Sequence, residues 1–226
     1  MDIAQMIDHT LLKATAQEKD IAMLCEEAVT YNFKTVCVPA CYVPVAADLL
    51  KETQIGITTV VGFPLGNETA TSKAFAAKEA VMNGATDVDM VINIGALKDE
   101  KYDYVKFEIQ EVVQAAKIVE PKTIVKVILE TCYLTHDEIV KVTELAIAAG
   151  ADFVKTSTGF GTGGATLEHI KLMKQTAKDQ IKVKASGGIS DADTAHKMVE
   201  AGASRLGVSK SIAIVKGEKV IEGGNY

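Results

Sequence analysis

Apolar positions along this chain fall into two alternating patterns. Short runs rich in Val, Ile and Thr, at residues 35–38, 57–61, 87–93, 123–130, 153–156, 181–185 and 205–208, have few polar interruptions. Such runs predict strands covered on both faces, as in a parallel sheet. Between them, residues 70–83, 104–119, 136–149, 167–177 and 191–201 repeat apolar side chains at helical spacing.

The helix-to-strand joints resemble one another. Asn83-Gly84-Ala85, Ala149-Gly150-Ala151 and Ala201-Gly202-Ala203 each place Gly where a helix ends in a left-handed residue, and Tyr31-Asn32-Phe33 does the same with Asn. One unit, a helix followed by a parallel strand, is therefore used repeatedly. Residues 7–12, preceded by a short helical stretch at 2–6 and followed by a helix from Thr15 with a Thr15–Glu18 capping box, supply an eighth strand. The pattern predicts a single (β/α)8 TIM barrel over residues 1–226 with a short N-terminal helix. An open doubly wound sheet is the competing architecture, but it carries its glycine-rich loop at the first strand-to-helix turn. Here the glycines come late, where many barrels gather a phosphate site.

Composition narrows the partners. Twenty-four Lys and Arg against 30 Asp and Glu give a formal charge of −6, a field that repels nucleic acid and anionic membranes. No apolar run approaches the roughly 20 residues of a membrane helix, and the N-terminus has no basic region, so a cytoplasmic protein is expected. A homo-oligomer is compatible with the chain. The four cysteines, Cys25, Cys37, Cys41 and Cys132, read as reduced thiols. With no Trp and 5% aromatics, the chain offers little to stack on bases.

Three strands carry a lysine between residues that face the helices: Val125-Lys126-Val127, Val154-Lys155-Thr156 and Val183-Lys184-Ala185. Each lysine should point into the barrel, where an ammonium group needs compensation. Asp89, inward at mid-strand, offers it, with Asp87 one pleat nearer the bottom rim. A structural ion-pair network is one reading. An amine nucleophile is the other. A lysine of ordinary pKa is neutral at pH 7 in about one molecule in 2,500, and burial beside a second cation raises that fraction. Lys155 and Lys184 lie on consecutive strands, about 4.8 Å apart. Lysine, unlike arginine, can form an imine with a carbonyl compound.

Three glycine-bearing segments follow the last strands: Thr158-Gly159-Phe160-Gly161-Thr162-Gly163-Gly164, then Ser186-Gly187-Gly188-Ile189-Ser190 opening a helix, then Gly207-Val208-Ser209. Together they predict a backbone cradle for phosphate, with Thr158, Gly159, Gly187, Gly188, Gly207 and Ser209 as its residues. Gly159, Gly161 and Gly164 also fit GxGxxG, but the next strand ends in Ala185-Ser186 instead of the acidic residue a dinucleotide requires. His9, His136, His169 and His196 show no metal-binding spacing. Cys37, ending a strand before Pro39, lies at the barrel mouth, where packing as a small hydrophobe competes with contact to substrate. A non-enzymatic ligand-binding barrel would leave the inward lysines unexplained.

Ile7-Asp8-His9-Thr10-Leu11, Asp87-Val88-Asp89, Val125-Lys126-Val127-Ile128-Leu129-Glu130-Thr131, Val154-Lys155-Thr156-Ser157-Thr158-Gly159-Phe160 and Lys184-Ala185-Ser186-Gly187-Gly188-Ile189 resemble, in order, the motifs of the 2-deoxyribose-5-phosphate aldolase family. The resemblance implies a class I aldolase without metal or cofactor, cleaving 2-deoxy-D-ribose 5-phosphate to acetaldehyde and D-glyceraldehyde 3-phosphate in deoxynucleoside catabolism. It implies Lys155 as the Schiff-base lysine, Lys184 as the neighbour that lowers its pKa, and Asp89 in the proton relay. Lys126 and Asp8 match further active-site positions as charge partners. Some relatives carry Lys where this chain has Phe160, which places more of the phosphate on backbone NH groups. Some also end in a Tyr that exchanges protons with the enamine, a role that would fall here to Tyr226.

Overall fold

The computed structural model describes residues 2–218, and its sheet is a closed barrel of eight parallel strands in sequence order. The strands are β1 (Ile7–Thr10), β2 (Thr35–Cys37), β3 (Gly56–Val61), β4 (Asp87–Val91), β5 (Ile124–Ile128), β6 (Phe153–Lys155), β7 (Lys182–Ser186) and β8 (Arg205–Val208). Around them lie α1 (Glu18–Tyr31), α2 (Val43–Leu50), α3 (Ala70–Met82), α4 (Ile94–Lys98), α5 (Tyr102–Val119), α6 (His136–Ala148), α7 (Leu167–Ala177), α8 (Ala192–Glu200) and α9 (Ser211–Lys216). The barrel expectation holds, and β1 closes against β8 with Asp8 opposite Gly207.

The period of two sorts each strand into faces. Val36, Val88, Val125, Val127, Val154, Val183 and Leu206 belong to a buried apolar layer with helix residues such as Ile21, Ala77, Ile109, Val112 and Ile170. The alternate positions turn inward. The repeated joint is also present: Asn32, Gly84, Gly150 and Gly202 all have positive φ. After α3, α6 and α8 the next residue's NH reaches back the same way, Ala85 to Ala80 O, Ala151 to Ala146 O and Ala203 to Met198 O, closing the helix end before the strand begins.

Some boundaries differ from those expected. Helix α1 starts at Glu18, capped by Gln17 with Asp20 closing the box, so Thr15 and Ala16 stay in the connecting turn. The sequence pattern passes over α2, whose Pro44 sits in its first turn, where a missing NH breaks no helical bond. Strand β4 stops at Val91 because the Asn93 side chain accepts from Ala96 NH and starts α4. Gly188 does not open α8 directly; Asp191 caps that helix three residues later.

The helix layer contains one buried ion pair that braces the site from outside. Lys73 on α3 meets Glu108 on α5 at 2.7 Å, both side chains fully buried. The remaining Lys73 protons go to Gly66 O and Val91 O at 2.7 and 2.8 Å, and Glu108 accepts from Asn93 NH. The pair thus ties two helices to the loop after β3 and to the end of the Asp89 strand.

Candidate active site

Inward positions of six strands build one charged cluster. Register sets Asp89 beside Lys126, Lys155 beside Lys184, and Lys184 beside Arg205. Asp89 lies at the centre: its Oδ1 accepts from Lys126 at 2.8 Å, and its Oδ2 accepts from Lys155 at 2.9 Å and from Lys184 at 2.8 Å. Below it, Asp8 accepts from Lys184, from Arg205 at 2.7 Å and from the Thr35 hydroxyl at 2.8 Å. Lys126 also meets Asp87 at 2.8 Å and Asp8 at 3.6 Å. A Cβ on Gly207 would stand 3.0 Å from Lys184 Cε, so this strand glycine makes room for the lysine stem.

The electrostatics follow from this packing. Burial alone would raise the Asp89 carboxyl, but Lys126, Lys155 and Lys184 drive it well below the usual range. Asp8 is likewise lowered, against its burial, by Lys184, Lys126 and Arg205. Lys126 is pushed up because Asp87, Asp89 and Asp8 outweigh the cost of its burial. Among the described residues the cluster holds Lys126, Lys155, Lys184 and Arg205 against Asp8, Asp87 and Asp89, one positive charge in excess when all are ionised. Release of one lysine proton makes it neutral. Lys155 is ion-paired with Asp89, whereas Lys184 is shared between Asp8 and Asp89.

Other expected site residues surround this cluster. Cys37 is buried beside it, and burial pushes its thiol up to about 11, so it stays protonated. Gly187 and Gly188 have φ of 81° and 75°, and a Cβ on the exposed Gly188 would meet nothing within 4 Å, leaving open space above the β7 end. Ser209 is exposed at the end of β8, while Gly207 lies within that strand. Gly159 has φ of 89°, and both donors of Thr158 go to the buried Glu130 carboxylate. Tyr226 lies outside the described residues.

The sequence reading did not single out Arg205 or Glu130. Arg205 was available from the alternation of Arg205 and Gly207 in β8. Glu130 was not, since nothing local announces a left-handed glutamate. Among the described residues no group of three or more His, Cys, Asp or Glu side chains is arranged to hold a metal ion, and no helix is long and apolar enough to cross a membrane.

Comparison with known proteins bears on this barrel directly. The family model for DeoC/LacD family aldolases matches residues 3–216. A deoxyribose-phosphate aldolase from Carboxydothermus hydrogenoformans is 58% identical over 99% of this chain and 97% of its own length. Among solved structures, a putative deoxyribose-phosphate aldolase from Coccidioides immitis superposes with a TM-score of 0.90 at 44% identity, covering 95% of this chain and 85% of that one. A tetrameric deoxyribose phosphate aldolase from Aeropyrum pernix gives 0.88 at 32% identity, over 95% and 89%. The fold and these matches define a barrel lyase. The chain belongs to the DeoC/LacD aldolase family.

Proposed function

We propose that this chain is a class I aldolase that reversibly cleaves 2-deoxy-D-ribose 5-phosphate to acetaldehyde and D-glyceraldehyde 3-phosphate through an imine on Lys155. The observation that carries the reading is the pairing of Lys155 and Lys184, in register on adjacent strands, on one carboxylate oxygen of Asp89 at 2.9 and 2.8 Å. The unprotonated Lys155 amine adds to the C1 aldehyde of the open sugar, and loss of water gives the iminium ion. Removal of the C3 hydroxyl proton breaks the C2–C3 bond. Its electron pair moves to the iminium, leaving an enamine on Lys155 and the aldehyde of glyceraldehyde 3-phosphate. Protonation of C2 and hydrolysis then release acetaldehyde and regenerate the amine. Asp89 and Lys184 handle these protons, while Lys126, Asp8 and Arg205 hold them in place. Tyr226, outside the described residues, is a further proton donor in this scheme, and the wild-type activity is expected to fall about 10²-fold in Tyr226→Phe.

The phosphate falls to the backbone NH groups around Gly187 and Gly188, with Ser209 as a further contact; a Cβ on Gly188 would meet nothing within 4 Å, which leaves room for an anion there. Gly188→Val should raise KM for the phosphorylated sugar about tenfold more than for plain 2-deoxyribose. Equal losses for both would assign these glycines to the turn alone. An oligomer, as in the Aeropyrum pernix relative, is consistent with this reading.

The deciding experiment is borohydride trapping with acetaldehyde, followed by peptide mass spectrometry, with and without EDTA. A reduced two-carbon adduct on Lys155, indifferent to EDTA, is expected. An adduct on Lys184 instead would overturn the assignment.

A further inference from the structure

The turn after β5 buries a carboxylate that the cleavage scheme does not use. Glu130 is 2% exposed and adopts φ 55° and ψ 61°, a left-handed conformation that strains a residue with a Cβ. The segment after Lys155 is wrapped around it. Thr158 NH donates to both carboxylate oxygens, at 3.1 and 3.3 Å, and the Thr158 hydroxyl donates to Oε2 as well. Phe160 NH then donates to Thr158 Oγ1 at 3.0 Å. A Cβ on Gly161 would stand 3.1 Å from Glu130 Cδ and 3.0 Å from Cys132 Sγ, so the chain passes too close for a side chain there. The peptide following Glu130 is fixed too, with Thr131 NH on Thr156 O at 2.9 Å.

We infer that Glu130 is a positioning residue for the loop after β6: its carboxylate is the anchor around which Thr158, Gly159, Phe160 and Gly161 are shaped. Within the glycine-rich pattern, Gly161 is fitted to this internal carboxylate. Thr158 NH is already taken. The loop starts three residues after Lys155, so loss of Glu130 should affect phosphorylated and unphosphorylated sugars alike. This contrasts with Gly188, where the phosphorylated sugar is expected to lose about tenfold more than the plain one.

The inference rests on the aldolase reading for its kinetic arm and is tested separately from it. Glu130→Gly removes the carboxylate while suiting the left-handed backbone, which guards against simple misfolding. Glu130→Gln keeps the shape, with its amide oxygen accepting from Thr158 NH and its amide NH donating to Thr158 Oγ1. Hydrogen exchange of the Thr158 and Phe160 amides, read without substrate, should speed up about tenfold in Glu130→Gly and return to within about threefold of wild type in Glu130→Gln. In parallel, kcat/KM for 2-deoxyribose 5-phosphate and for 2-deoxyribose should both fall about 30-fold in Glu130→Gly and recover in Glu130→Gln. Unchanged exchange, a loss confined to the phosphorylated sugar, or a Gln variant as impaired as the Gly variant would each overturn the inference. Failure of Lys155 trapping would overturn the aldolase reading instead and leave the exchange result standing.

Discussion

The Lys73–Glu108 pair in the helix layer and the cluster inside the barrel bury the same kinds of charge under different rules. In the pair, one cation meets one carboxylate, and every ammonium proton has a named acceptor: Gly66 O, Val91 O or Glu108 Oε2. In the barrel, Asp89 alone receives three lysines, and the described cations outnumber the described carboxylates. A matched pair has no proton to spare and serves as a brace. A mismatched cluster carries one cation beyond its carboxylates, the setting in which the proposed lysine nucleophile would work. Buried charge as such therefore says little about chemistry; its balance and its distance from the mouth say more.

The sharpest way to break this contrast is to remove one lysine from each set. Lys155→Ala should abolish the trapped adduct and lower turnover by at least about 10⁴-fold, with urea unfolding close to wild type, since its loss removes the excess charge. Turnover that survives this change would make the barrel cluster a brace like the other. Lys73→Met should do the reverse. Leaving Glu108 buried without its partner costs about 3–5 kcal/mol in urea unfolding, while kcat of the folded fraction stays within about threefold. The double change Lys73→Met with Glu108→Leu should restore part of that stability, because no unpaired charge remains. If the single change loses no stability, the pair is not the brace described.

Asp89→Asn addresses the centre of the cluster. Turnover should fall about 10²-fold, the scale of a lost acid–base group, with imine formation affected less. Equal losses in trapping and turnover would mean that Asp89 chiefly holds the lysines.

The smallest effect distinguishes the two sets by the sign of their pH dependence. Burial raises the Glu108 carboxyl above its ordinary range despite Lys73, so on acidification the folded protein takes up that proton before the unfolded chain does. Stability therefore gains from Glu108 as pH falls through its folded pKa, down to the unfolded value near 4.3. Asp8 and Asp89 are held below their unfolded values, and their contribution is lost below about pH 4, where only the unfolded chain binds protons readily. Subtracting the stability profile of Glu108→Gln from that of wild type should leave a gain on acidification of about 1 kcal/mol or less. A difference profile that falls with acid would refute the assigned sign.

Much of this arrangement is legible in the sequence, and the reasons are geometric. Strand alternation announces Lys126, Lys155, Lys184 and Asp89, because a period of two leaves them only the barrel interior to face. The recurring Gly and Asn at helix ends announces the unit that places the strands. What stays hidden depends on contacts distant in sequence. Lys73 and Glu108 look like ordinary charges on amphipathic helices, since only the packing of α3 on α5 buries them. Glu130 looks like the last polar residue of a strand, and its carboxylate finds its donor in Thr158, 28 residues away. The Gln17–Asp20 box displaces the expected Thr15 start because two overlapping caps compete and local sequence does not rank them.

The seam between β1 and β8 bears on how the protein is made. Asp8 finds Lys184 and Arg205 across 176 and 197 residues of chain. At about 5–20 residues per second, a ribosome needs roughly 10 to 40 s to cover the longer of these separations. Over most of that interval Asp8 lacks its cations on β7 and β8, and the early strands keep an unpaired edge. Synthesis of β8 ends the wait: the same step closes the hydrogen-bond ring against β1 and brings Arg205 to Asp8. The charge arrangement inside the barrel is therefore complete only when the last strand is.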